Sequence, residues 1–197
     1  MRKVVAPRNP FLRWAGWFAL ALVFAIACWN LSQWQFARRN AALEVISRIE
    51  RSYSAPVATL EELVPNQSGF SLSNEYRLVS VTGQYEPEKF LLVRNRPRNG
   101  VAGFEQLVPL RLESGLYVFV NRGWLPTGNA QDFPDSNPLP DENNLVTVTA
   151  RLRHSEGSDG RDAPKGQIAR ATIPEAFNRI GVSSDEGYSG VYLILET

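Results

Sequence analysis

The chain has 197 residues, with 21 Lys+Arg against 20 Asp+Glu and a formal charge of +1. So even a balance creates no global field of the kind that draws a protein to nucleic acid. The single cysteine, Cys28, excludes an intrachain disulfide and any cysteine-based zinc site, and the length leaves room for one anchor plus one domain of ordinary size.

Residues 14–34 read WAGWFALALVFAIACWNLSQW and carry no charge. A helix of ~20 apolar residues covers the ~30 Å hydrocarbon core of a bilayer. Trp14, Trp17, Trp29 and Trp34 stand at its edges, where amphipathic rings favour the headgroup level, and Arg2, Lys3, Arg8 and Arg13 form a basic leader over residues 1–13. A cleaved signal peptide would need a small-x-small exit, and the stretch ends instead on Cys28, Trp29, Asn30 and Leu31. A retained transmembrane helix is therefore expected, with Cys28 an inert small hydrophobe within it.

Neither Gly nor Pro occurs from Trp17 to Ala55, so the helix should run on past the membrane surface through residues 35–55. Ala41, Ala42, Val45, Ile46 and Ile49 recur at helical spacing, with Glu44 and Arg48 as an i,i+4 pair. Positive charges flank the span nearly equally, but a long following domain translocates largely regardless of charge. The expected placement is the cell (inner) membrane, with a cytoplasmic N-terminus and an extracytoplasmic domain over residues 56–197.

The helix should end at Ser54 and Ala55 before Pro56. A helical turn at Thr59 to Leu63 would open on the capping box Thr59 and Glu62. From Tyr76 the period changes to that of strands. Val79, Val81, Gly83 and Tyr85 share one face, and Lys89 to Asn95 is expected to pair with them as a hairpin across Glu86 and Pro87. Val101 to Leu112 and Leu116 to Trp124 form a second hairpin through Glu113, Ser114 and Gly115, and the latter strand, apolar on both faces at first, should be central.

Pro126 to Asn144 reads as a loop, and Leu145 to His154 as the clearest strand, with Val146, Val148, Ala150 and Leu152 inward. A second loop spans Ser155 to Gly166. A short helix over Ile173 to Ile180 should stop at Gly181, and a last strand runs from Val191 to Leu195. The predicted fold is α+β: a transmembrane helix, then a mainly antiparallel β domain forming a small barrel-like sheet with short peripheral helices, closure removing exposed edges.

The one histidine, His154, falls at a strand end beside a loop. A rim histidine with its ring partly covered is the expectation, ahead of a haem or metal ligand. No phosphate loop, GxGxxG or GxSxG is present, so no enzyme activity is expected and no catalytic residue is assigned. Asn121 to Pro126, reading NRGWLP, is more informative, because one strand delivers a fixed charge, a glycine and a large amphipathic ring. Arg122 and Trp124 suit a buried contact patch or a propionate site. They equally suit a structural corner in which Trp124 plugs a barrel end and Arg122 caps a loop.

Leu31 to Arg38, reading LSQWQFAR, resembles the L-G-x-W-Q-x-x-R that follows the first membrane span of the Surfeit locus protein 1 family. Gly83, Leu91 to Arg94, Gly100, Gly103, Pro109 and Leu110 are similar to its middle block, and Asn121 to Pro126 to its signature N-R-G-W-[VL]-P. Ser32 replaces the family glycine and Val108 a common threonine. Members usually end on a second membrane span, which these 197 residues do not contain, so either the sequence is a piece of a longer protein or this member has one anchor.

The resemblance implies a membrane-anchored assembly factor for haem-copper (aa3-type) cytochrome c oxidase, assisting haem a insertion or stabilising the catalytic subunit. Its implied partners are that subunit, haem a synthase and membrane lipid, with no tightly bound cofactor and at most transient haem a. Arg38, Arg122 and Trp124 would contact partner or haem, Trp34 and Gln35 would position the helix at the membrane surface, and Gly83, Gly103, Gly123 and Pro126 would be structural turn residues. The rival class is a non-catalytic accessory subunit that stabilises a respiratory or envelope complex without binding haem.

Overall fold

The computed structural model describes residues 10–67, 69–129 and 132–196; the basic residues Arg2, Lys3 and Arg8 of the leader lie outside them. The chain divides into two units, Met1–Arg48 and Ile49–Thr197. The first is carried by α1 (Pro10–Ser54), a helix of 45 residues and so about 68 Å long. Its apolar part is long enough to cross a membrane, and side chains such as Trp17 and Phe24 are exposed on it. With no glycine or proline after Gly16, nothing interrupts the ladder until the residues before Pro56.

In the second unit the end of α1 packs on the β domain. Ser52 is buried and its hydroxyl donates to the carbonyl of Ser73, while Tyr53 lies 5.9 Å from the ring of Tyr76. The Arg151 guanidinium sits 3.8 Å over the Tyr53 ring and is held there by two bonds to Glu196, at 2.8 and 2.9 Å. The capping box at Thr59 and Glu62 forms as expected and opens α2 (Leu60–Leu63), whose Leu60 is fully buried.

The strands are β1 (Ala58–Thr59), β2 (Leu78–Tyr85), β3 (Leu91–Val93), β4 (Gly103–Leu112), β5 (Tyr117–Pro126), β6 (Leu145–His154), β7 (Gln167–Ile168) and β8 (Val191–Leu195). They make one mixed sheet in the order β1-β2-β6-β8-β5-β4-β3-β7, and an added β2–β4 pairing closes five of them, β2-β6-β8-β5-β4, into a barrel. The long pairings are antiparallel, while β5–β8, β3–β7 and β1–β2 are parallel. The barrel, the β4–β5 hairpin and the peripheral α3 (Ile173–Ile180), which ends at Gly181, match the sequence expectation. The two-residue strands β1 and β7 were not anticipated.

One pairing differs. The expected hairpin between residues 76–85 and 89–95 does not form, because β2 and β3 run in the same direction along a single edge of β4. Gly83 to Tyr85 pairs with Leu112 to Leu110, and Leu91 to Val93 pairs with Leu107 to Glu105. Between them the chain makes a 3-10 turn at Pro87–Lys89, opposite Pro109, whose carbonyl accepts from the Glu86 N–H and whose ring nitrogen has no proton to offer a strand there. The true partner of β3 is set by Asn99 and Gly100, at φ 53° and 80°, a two-residue turn that returns the chain through the Arg98–Val101 bridge into β4.

Two apolar clusters follow from the alternation of the strands. Val79, Val81, Val108, Leu110, Val118, Val120, Val148, Ala150, Leu152 and Leu193 fill the barrel. On its outer face Leu107, Phe119 and Tyr192 receive Ile173, Ala176 and Phe177 of α3, with Phe119 and Phe177 meeting edge to face at 5.1 Å. β5 is buried on both faces, as a central strand should be.

Candidate functional site

The NRGWLP segment forms the last part of β5, and a β-bulge lies at its centre. Asn121 pairs with Leu107 and Trp124 with Glu105, so Arg122 and Gly123 together oppose the single residue Gln106. Gly123 adopts φ 123°, outside the range of ordinary side-chain-bearing residues. The extra residue reverses the alternation: Arg122 continues the inward row of Val118 and Val120, while Trp124 joins the face of Asn121. The two residues expected to act together lie on opposite sides of the strand.

At the barrel end, one Arg122 terminal nitrogen donates to Gln106 Oε1 and to the carbonyl of Pro138, both at 3.0 Å. Gln106 is buried and its amide donates in turn to Asn137 Oδ1 and the Pro138 carbonyl. The guanidinium lies 5.7 Å over the ring of Tyr85, where burial raises the phenol pKa against the opposing pull of Arg122. Arg122 thus ties the proline-rich loop after β5 over the barrel mouth, which is the loop-capping alternative read from the sequence.

On the other side, Trp124 donates from its indole to the backbone carbonyl of Arg96 at 2.6 Å. Gly103, paired near it, leaves room for the indole: a Cβ there would fall 2.3 Å from the indole nitrogen. Beside it runs a charge cluster that the sequence did not reveal. Arg96 bonds both oxygens of Glu156 at 2.7 Å and approaches Glu105 at 3.3 Å, while Asn121 donates to Glu105. Arg96 and Glu156 are 60 residues apart, so no local spacing announces the pair. Gln106 carried little signal, since it stands beside Glu105 and ahead of the apolar run LVPL and so reads as the polar start of a strand.

Burial works to raise the Glu156 pKa, but the bonds from Arg96 and from the Ala171 N–H outweigh it and hold the carboxyl below its usual 4.5. Burial also pushes the Tyr192 hydroxyl up to about 12, and Tyr188 likewise to about 12. Both tyrosines are favoured in their neutral form by the fold, so their contribution to stability should be complete below the ordinary pKa of 10.0 and lost as pH rises through about 12. A spectrophotometric alkaline titration should show two tyrosines ionising late, and denaturant midpoints should fall over the same interval.

The remaining expected positions are spread along the chain. Arg38 lies over the Trp34 ring at 5.7 Å, one helical turn away, and Gln35 is exposed beside them on α1. Gly83, Gly103 and Gly123 stand inside strands, and Pro126 ends β5. His154 is a rim residue with its side chain 45% exposed, its Nδ1 2.9 Å from Glu75 and its ring stacked on Phe70 at 5.6 Å. Among the described residues no group of three or more His, Cys, Asp or Glu is arranged to hold a metal ion.

The family model of the SURF1 family, the Surfeit locus protein 1 family, matches residues 22–189, from within the apolar helix to beyond α3. The chain belongs to the SURF1 family. It is similar to uncharacterized SURF1-like proteins of Mycobacterium tuberculosis (strain H37Rv) and Mycobacterium bovis, each 36% identical over 156 residues covering 77% of this chain and 57% of the relative. A SURF1-like protein of Dictyostelium discoideum is 27% identical over 112 residues, 54% of this chain and 42% of its own length. The chain thus spans about half the length of the curated relatives it matches. The SURF1 match takes in the Arg122 and Trp124 arrangements on both faces of β5, together with Trp34, Gln35 and Arg38.

Proposed function

We propose that this SURF1-family protein is a membrane-anchored assembly factor for haem-copper (aa3-type) cytochrome c oxidase, with no catalytic turnover of its own. Its β domain acts outside the cytoplasm and assists haem a insertion or stabilises the catalytic subunit of the oxidase while it is completed. The observation that carries this reading is the family match over residues 22–189, which includes the NRGWLP strand. The apolar part of α1, long enough to span a bilayer, supports action beside another membrane protein. Haem a is met only transiently, and haem a synthase is the natural donor.

Arg122, Trp124 and Arg38 are the proposed contact residues. Arg122 acts by holding the 137–138 loop at the barrel mouth, and Trp124 by shaping the opposite face through Arg96. Trp34 and Gln35 set the helix at the membrane surface. The internal engagement of Arg122 and Trp124 favours one other reading, an accessory subunit that never meets haem. Cells lacking the protein and complemented with Arg122→Gln should show a several-fold loss of membrane haem a and oxidase activity, with the variant present at normal abundance. Arg122→Lys should fail too, because lysine lacks the planar guanidinium that lies over the Tyr85 ring while its terminal nitrogen bonds Gln106 and Pro138. Unchanged haem a content in both variants would defeat the Arg122 assignment, and titration of the purified protein with haem a without a spectral change would favour the accessory subunit.

A further inference from the structure

A groove of about 490 Å³, a size within the ~300–1,000 Å³ range of small-ligand sites, is lined by the two arms that flank the Asn99–Gly100 turn, residues 94–97 and 102–104, and by Thr127. Its apolar wall is Pro97, Ala102 and the buried ring of Phe104. The rest of the lining is Gly103 and four residues with polar side chains, Arg94, Asn95, Arg96 and Thr127. The left-handed backbone at Asn95, φ 55°, breaks the strand between Arg94 and Arg96, and the two arginines have different fates. Arg96 is neutralised by Glu105 and Glu156, whereas Arg94, among the described residues, has no ion pair and no side-chain hydrogen bond.

The charge of the lining separates this groove from a second cavity on the barrel wall. That cavity, of about 400 Å³, mixes Lys89 and Arg111 with Glu86, Glu88 and Glu142 and so largely cancels itself. The groove has no carboxylate in its lining. An unpaired, half-buried guanidinium next to apolar surface is matched by a ligand that brings its own anion and its own apolar body.

We propose that this groove binds a small amphipathic carboxylate, with its carboxylate on Arg94 and Asn95 and its apolar part against Pro97, Ala102 and Phe104. The site is distinct from the Arg122 barrel mouth and does not depend on the assembly reading. Trp124 provides the reporter, since Gly103 lines the groove with the indole directly behind it, and of the five tryptophans Trp124 alone lies outside residues 14–34.

The test is titration of the full chain in lipid nanodiscs, with the Trp124 indole N–H followed by nuclear magnetic resonance. The probes are 3-phenylpropionate, its neutral analogue 3-phenylpropanol, and inorganic phosphate. The expected result is a saturable shift with 3-phenylpropionate and none with the alcohol. Arg94→Gln should weaken the response about tenfold, the scale of one charge-assisted pair. Ala102→Phe, which puts a large ring into the groove and leaves Arg94 in place, should abolish it. An indole resonance at its wild-type position in ligand-free Arg94→Gln establishes that the groove is intact. No saturable shift, equal responses in wild type and Arg94→Gln, or phosphate binding as well as 3-phenylpropionate would each overturn the proposal.

Discussion

Gly83→Val is expected to lower the stability of the β domain by about 3–5 kcal/mol, a fall in Tm on the order of 10 °C. The barrel closes only through the short seam of Gly83 to Tyr85 against Leu110 to Leu112. A Cβ at Gly83 would stand 2.5 Å from the Arg111 carbonyl oxygen and 3.0 Å from its carbonyl carbon, and both are backbone atoms that no rotamer change can move aside. Valine must therefore push β2 off β4, which breaks seam hydrogen bonds worth ~0.5–1.5 kcal/mol each and lets water reach Leu110 and Leu112. Alanine carries the same Cβ and should show most of the effect. Gly157→Ala, where a Cβ meets nothing within 4 Å, should leave Tm unchanged. Calorimetry of the three variants decides the matter, and a wild-type Tm for Gly83→Val would mean that the seam is not closed as described.

The same seam shows which parts of the fold could be read from the sequence. Strict alternation at Val146, Val148, Ala150 and Leu152 marked β6 because one face is buried and the other is not, and the capping box at Thr59 marked the start of α2. The partner of β3 was misassigned because sequence neighbours usually pair, and Pro87 looked like a hairpin turn. The stronger signal was Asn99-Gly100, whose positive φ values suit the twist of a two-residue hairpin. At the candidate site the types of Arg122 and Trp124 were legible, but their separation was not. A bulge depends on register with Gln106 and Leu107, so the reversal of Trp124 to the other face has no counterpart in the linear pattern. Long-range pairs such as Arg96 with Glu156 are equally silent, because either residue alone looks like solvated surface.

Arg96→Met should cost about 2–3 kcal/mol at neutral pH. Breaking a fully buried ion pair costs ~3–5 kcal/mol, and the discount reflects side chains that keep 25% and 15% exposure. The loss comes from Glu156 and Glu105, which stay in place without their counter-charge, while the backbone carbonyl that holds Trp124 is unaffected by the substitution. The pH dependence separates this cause from lost packing. In the wild type the carboxyl of Glu156 is held below 4.5, so its contribution is present above 4.5 and disappears as pH falls through the lower folded value. In Arg96→Met burial acts with much less opposition and favours the protonated acid, so acid no longer removes a stabilising pair. Denaturant midpoints of the two proteins should therefore differ most near pH 7 and converge toward pH 4, and Arg96→Met with Glu156→Leu should recover much of the deficit, since apolar residues can replace a buried pair. A gap independent of pH would assign the effect to lost packing of the arginine stem instead.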